Sequence, residues 1–193
     1  MAQRKIKSRA RACGGGISHA MTIALVGPMG SGKSHIARDL ARISGLPFVD
    51  LDAEIERRAE NKISAIFRTQ GEEVFRQLET KALRDALERG GILATGGGVV
   101  TRPENCDLLR EANVVYLRAT PETLATRIRQ QPGTRPLIDG DGALDFDRTR
   151  ARIEEILSVR APLYQSVAQL VLDTDVRPPR ELAQEIWTTF RNR

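Results

Sequence analysis

Five short apolar runs punctuate the chain: Thr22 to Gly27 (TIALVG), Pro47 to Asp50 (PFVD), Gly91 to Thr95 (GILAT), Asn113 to Arg118 (NVVYLR) and Gln169 to Asp173 (QLVLD). Apolar residues at successive positions, not alternate ones, mark a strand covered on both faces, so each run is predicted to be a buried parallel strand. Between them the apolar positions recur at helical spacing. Helices are predicted over Ser34 to Ser44, closed by Gly45, over Glu72 to Arg89, closed by Gly90 and Gly91, and over Thr120 to Gln131. In the last, Thr120 is the expected cap and Pro121 the first helical residue, a position where proline's missing N–H costs nothing. Trp187 shares helical spacing with Leu182 and Ile186 and is expected in the core. Strands alternating with helices predict an α/β fold, a three-layer α/β/α sandwich.

Two segments exceed a minimal wrap of this kind. A polar helical stretch from Asp52 to about Glu79 lies between the second and third strands, which predicts an insertion over about 52–80. The stretch QPGTRPLIDGDGALD, rich in Gly, Pro and Asp, is predicted to form a lid over about 131–146, because connections this long inside a compact domain commonly have a function. A length of 193 residues fits one domain, here 21–193, and no internal repeat is visible.

Composition narrows the function classes. The formal charge of +5 invites a nucleic-acid reading, but its distribution removes most of the support. Residues 1–20 hold Arg4, Lys5, Lys7, Arg9 and Arg11 and no acid, so the other 25 basic side chains balance the 25 acidic ones. Those first residues, with Gly14 to Gly16, read as a basic disordered tail, and no nucleic-acid partner is expected for the body. No apolar run approaches the roughly 18 residues a membrane span needs, so no membrane partner is expected. Cys13 and Cys106 have no metal-type spacing and are too few for a disulfide framework, which fits a cytoplasmic protein.

The first strand runs into GPMGSGKS, Gly27 to Ser34, a match to G-x-x-x-x-G-K-[ST] with a strand before it and a helix after it. Glycines in this pattern let successive backbone N–H groups curl around phosphate oxygens, and the following helix adds its positive end. Gly30, Ser31, Gly32, Lys33, Ser34 and His35 are the candidate nucleotide-binding residues, with the Lys33 ammonium for the β and γ phosphates and the Ser34 hydroxyl for Mg2+. The loop identifies a phosphate donor such as ATP and leaves the acceptor open. No N-K-x-D guanine signature is present.

Ligands of open α/β sheets bind beyond the carboxyl ends of the strands, where the acceptor's residues should therefore lie. Asp50 and Asp52 follow the second strand, on the same side of an expected extended segment, Gly96, Gly97 and Gly98 follow the third, Arg76 and Glu79 stand one turn apart in the Glu72 helix, and Arg160 lies past the lid. One carboxylate and several arginines suit a small polyol that bears a carboxylate. Arginine grips carboxylates bidentately, and Asp52 can orient a hydroxyl and take its proton. Each piece also has a plain structural reading: Arg76 with Glu79 as a surface i, i+3 pair, Asp52 as a helix cap, Arg160 as a partner of a helix C-terminus.

Taken together, GPMGSGKS, FVDLD, GEEVFRQLE, TGGGVV, RPL and RAPLY occur in the order found in shikimate kinases, and from about Thr22 to Phe190 the chain resembles that family. The resemblance implies a P-loop kinase of nucleoside monophosphate kinase-like fold with a five-stranded parallel sheet in order 2-3-1-4-5. It implies transfer of the γ-phosphate of ATP to the 3-hydroxyl of shikimate in the pathway to chorismate and the aromatic amino acids, by a cytoplasmic, monomeric enzyme. By the same resemblance Asp52 binds the attacking hydroxyl and is the candidate base, while Arg76 and Arg160 hold the carboxylate. Gly97 contacts substrate through its backbone, with Gly96 and Gly98 beside it, and Glu79 orients the arginines. Asp50 reaches Mg2+ through water beside Ser34, Arg135 swings in with the lid onto the transferring phosphate, and Arg177 contacts adenine. One departure stands out: the family usually has a phosphate-contacting threonine where this chain has His35, whose backbone N–H is still expected to donate. A gluconate kinase and a non-catalytic binding module that kept the fold remain as alternatives.

Overall fold

The computed structural model describes residues 21–130 and 145–192. The basic tail, most of the expected lid, Cys13 and Arg135 lie outside the described residues. The elements in chain order are β1 (Thr22–Val26), α1 (Lys33–Ser44), β2 (Phe48–Asp50), α2 (Leu51–Ala59), α3 (Ile63–Arg89), β3 (Gly91–Ala94), α4 (Pro103–Leu109), β4 (Asn113–Arg118), α5 (Pro121–Gln130), α6 (Phe146–Val167), β5 (Leu170–Asp173) and α7 (Pro179–Phe190). A short 3-10 turn, Val99–Thr101, precedes α4. The five apolar runs are the five strands, and all their pairings are parallel in the order β2-β3-β1-β4-β5.

Side-chain alternation along the strands divides the core. Ala24 and Val26 of β1, with Val114 and Tyr116 of β4, face a cluster built with Leu51, Ile55, Leu83, Leu109 and Tyr164, so α2, α3, α4 and α6 cover that face. Ile23 and Leu25, with Val115 and Leu117, face Ile36, Leu40, Leu182, Ile186 and Phe190 from α1 and α7. Leu124 and Ile128 of α5 pack on Ile153 of α6 in a smaller cluster. Trp187 is half-buried against the α1–α7 side and not fully inside it. Cys106 is buried, its thiol donating to the Val100 carbonyl at 3.3 Å.

The chain leaves β1 toward β2 on one side and reaches β4 on the other, so the crevice at a topological switch point opens over the end of β1, where the Gly27–Gly32 loop lies. Three local outcomes differ from the sequence pattern. The insertion is two helices, α2 and an α3 broken at Gly71, whose φ of 85° and ψ of 169° leave the helical region immediately before Glu72. Leu51 already begins α2, so Asp52 stands in a first helical turn and not on an extended segment, and the N-cap is Asp50. The lid was expected to run through 146, but Phe146 begins α6, capped by Asp145, whose carboxylate accepts the Arg148 N–H at 2.9 Å.

Candidate active site

One side of the site is built by one loop and one helix end. Gly32 caps α1 with φ 89°, a left-handed conformation that a side chain would resist. The Lys33 side chain is buried, and its ammonium donates to the Gly27 and Pro28 carbonyls, both at 2.8 Å. Burial lowers the Lys33 pKa to about 8, with the Asp52 and Asp50 carboxylates acting in the opposite direction. The Ser34 hydroxyl donates to Asp50 Oδ2 at 2.7 Å, and the other oxygen of Asp50 accepts the Ala53 N–H at 3.3 Å. The His35 N–H donates to the Gly32 carbonyl at 3.0 Å, so it is engaged within the helix turn. The Ser31 hydroxyl is buried with no protein partner. Beside this loop a depression is lined by Gly30, Ser31, Gly32, His35, Arg127, Thr174 and Arg177. Arg127 spans it, donating to the Gly30 carbonyl at 3.3 Å, to the Thr174 hydroxyl at 3.1 Å and to the Thr174 carbonyl. Arg177 stands at its edge, paired with Glu181 at 2.9 Å and Glu185 at 2.6 Å.

On the other side of the same loop lies a second pocket. Pro28 and Met29 form one wall, Phe67, Phe75, Ile128, Ile153 and Leu157 supply apolar surface, and Asp52, Arg76, Glu79, Gly96, Gly97, Gly98 and Arg160 supply the polar lining. A Cβ on Gly96 would stand 2.7 Å from Asp52 Oδ1 and 2.9 Å from Glu79 Oε1, so both carboxylates reach over one bare backbone position. Glu79 is fully buried; its Oε2 accepts from Arg76 Nη1 at 2.8 Å, while its Oε1 has no partner. Arg76 is completed by Glu72, whose Oε1 accepts from Nε at 3.2 Å and Nη2 at 3.0 Å. Arg160 donates to the Gly97 carbonyl at 3.2 Å, and the buried Tyr164 hydroxyl donates to the same oxygen while its ring stacks on Tyr116 at 5.1 Å.

Two acids here are displaced from their ordinary ionisation. Burial raises the Asp52 pKa to about 6; the Lys33 ammonium opposes this, and the Asp50, Glu79 and Glu56 carboxylates add to it. Burial also raises Glu79, against the pull of Arg76. A carboxylate that titrates near neutrality in a pocket with two guanidinium groups is equipped to accept a proton from a hydroxyl.

The structure thus brings Asp52, Arg76, Glu79, Gly96, Gly97, Gly98 and Arg160 to one pocket, and Gly30, Ser31, Gly32, His35 and Arg177 to the adjoining depression. Glu79 bonds Arg76, whereas Arg160 is held by Gly97. Arg127, Glu72 and Tyr164 were not foreseen. Tyr164 was findable, since it follows Arg160 by one turn within RAPLY, but the acceptors of Arg127 are loop groups 47 residues or more away, and helical periodicity does not reveal them.

Comparison with known proteins places the chain in a family. A family profile described as shikimate kinase matches residues 29–191. The shikimate kinase of Thioalkalivibrio sulfidiphilus is 44% identical over 171 residues, covering 88% of this chain and 86% of that protein. That of Histophilus somni is 41% identical, covering 85% and 91%. Among solved structures, a shikimate kinase from Acinetobacter baumannii in complex with shikimate superposes with a TM-score of 0.80 at 35% identity, covering 90% of this chain and 95% of that one. A gluconokinase from Sinorhizobium meliloti shares the fold, with a TM-score of 0.57 at 18% identity. With a family profile matching residues 29–191 and relatives above 40% identity over most of its length, the chain belongs to the shikimate kinase family.

Proposed function

We propose that the protein transfers the γ-phosphate of ATP to the 3-hydroxyl of shikimate, giving shikimate 3-phosphate and ADP. The observation that carries this reading is that one loop borders both sites: Pro28 and Met29 line the acid pocket, and Gly30 to Gly32 line the depression beside it. The Lys33 ammonium and the Asp52 carboxylate lie close enough to shift one another's ionisation, so a γ-phosphate at Lys33 and a hydroxyl at Asp52 can meet directly at the edge of the loop.

Phosphoryl transfer asks the protein mainly for position and charge. Arg76 and Arg160 bind the acceptor's carboxylate, and Asp52 accepts the proton of the attacking 3-hydroxyl as its oxygen bonds to the γ-phosphorus and the bond to the bridging oxygen of ADP breaks. Lys33 exchanges its two loop carbonyls for phosphate oxygens, and Arg135, outside the described residues, is the further cation that the family resemblance assigns to the transferring group. Arg127 and Arg177 flank the space for the rest of the nucleotide. Ser34 Oγ and Asp50 Oδ2, hydrogen-bonded at 2.7 Å, are the hard oxygen pair that would hold Mg2+. Bound there, Mg2+ supplies neutralising charge to the β and γ phosphates. No described helix is long and apolar enough to cross a membrane; we place the enzyme in the cytoplasm as a monomer.

The test is ADP release from Mg-ATP by the full chain with shikimate, gluconate, an uncharged polyol or no acceptor. Shikimate is expected to give the highest kcat/KM by orders of magnitude. Preference for gluconate, or ATP binding with no ADP release on any acceptor, would overturn the assignment.

A further inference from the structure

A guanidinium has five N–H groups, and the number committed to the protein determines which edge is left for a ligand. On Arg76 three are committed: Nε and one Nη2 hydrogen to Glu72 Oε1, and one Nη1 hydrogen to Glu79 Oε2. The two that remain are one hydrogen on Nη1 and one on Nη2. A Cβ on Gly98 would fall 2.4 Å from Nη1, 2.5 Å from Nη2 and 2.7 Å from Cζ. Being nearer both nitrogens than the carbon between them, that point lies off the end of the fork and not over its face. The Nη1–Nη2 end of the fork therefore abuts the bare backbone of Gly98, which lines the acid pocket together with Arg76.

From this we infer that Glu72 is a positioning residue for acceptor binding: it takes the side-on edge of Arg76 so that the end-on edge is the one presented to the acceptor's carboxylate. The inference rests on the proposal that Arg76 receives that carboxylate. Glu72 itself does not line the pocket. Its side chain is 57% exposed while that of Arg76 is 7% exposed, so the contact reaches in from the solvent side of a buried cation. Its place is set by Gly71, where the break in α3 starts a fresh helical segment at Glu72, one turn ahead of Arg76. Without Glu72 the guanidinium keeps Glu79 at one nitrogen only. It is then free to turn its Nε edge into the pocket, and each wrong orientation lowers the population that can bind.

The experiment compares Glu72→Ala and Glu72→Gln with the parent in steady-state kinetics and thermal melting. Glu72→Ala is expected to raise KM for shikimate about threefold to tenfold, the exposed side of the pair keeping the effect modest, with KM for ATP unchanged and kcat within about twofold. Glu72→Gln, whose amide oxygen can accept the same two N–H groups, is expected to recover most of the loss. A shikimate KM that is unchanged or lower in Glu72→Ala, equal losses for both substrates, or a Gln variant no better than Ala would each overturn the role. Arg76→Ala separates the levels. If it leaves the shikimate KM unchanged, the carboxylate seat is wrong and the inference fails with it; if it raises KM while Glu72→Ala does not, only the role of Glu72 fails.

Discussion

Asp52→Asn is expected to lower turnover about 10²–10⁴-fold, the usual contribution of a positioned general base, while ATP affinity stays near that of the parent. The substitution keeps the shape and one accepting oxygen, so the hydroxyl can still be oriented; what disappears is the capacity to take its proton. The pH profile provides a second reading of the same group. With Asp52 near 6 and the Lys33 ammonium near 8, kcat/KM is expected to be bell-shaped, rising as Asp52 ionises and falling as Lys33 loses its charge. The two groups interact, so the two limbs belong to the pair. The Asn variant should lose the acid limb and shift the alkaline one to lower pH, because the Asp52 charge holds the Lys33 pKa up. Equal losses in turnover and ATP binding, or an acid limb that survives, would remove Asp52 from the chemistry.

The same shift predicts a stability change of definite sign. A carboxylate with a raised folded-state pKa holds, between the ordinary value of 3.8 and about 6, a proton that the unfolded chain has released. Stability therefore falls as pH rises through that window, and above it the ionised Asp52 is a cost to the fold. Thermal melting of Asp52→Asn at neutral pH should occur above that of the parent, a gain in stability coupled to a loss of function.

The legible parts of the molecule were those whose signals are local. A buried parallel strand and a phosphate loop each declare themselves within about ten residues, and β1 followed by GPMGSGKS needed nothing from elsewhere in the chain. The sheet order came only through resemblance, because apolar runs do not state their neighbours. α6 was missed as an element: it starts behind a Gly- and Asp-rich stretch and carries Pro162 inside it, two signals that normally argue against helix. The sequence offers Asp52 as the cap of α2, because an Asp just ahead of a helical pattern is a good cap residue. The structure gives the cap to Asp50, which frees Asp52 for the pocket. The sequence does not single out Glu72, because i, i+4 pairs are weak and common on open surfaces. Burial of Arg76 changes its weight, and burial is a tertiary quantity.

Gly98→Ala tests the acid pocket from the other side, and its effect should come from geometry alone. Gly98 has φ −102° and ψ 1°, a conformation an alanine can take, so the backbone need not resist the change. The added methyl group would meet Arg76 Nη1 at 2.4 Å and Nη2 at 2.5 Å, far inside contact distance, at the end of the fork where the acceptor's carboxylate is proposed to sit. Arg76 is packed and bonded on its other edges, so it must either give up those bonds or leave the methyl group in the carboxylate's place. Loss of a buried charge-assisted pair gives an expected rise in shikimate KM on the order of 10²-fold, with KM for ATP near the parent, since the donor loop is untouched. Overpacking should cost the fold about 1–3 kcal/mol, visible in melting but not abolishing it. If both substitutions act on one contact, Gly98→Ala added to Arg76→Ala should cost little more than Arg76→Ala alone. A shikimate KM within about twofold of the parent in Gly98→Ala, or full additivity with Arg76→Ala, would move the carboxylate seat away from the end of the Arg76 fork.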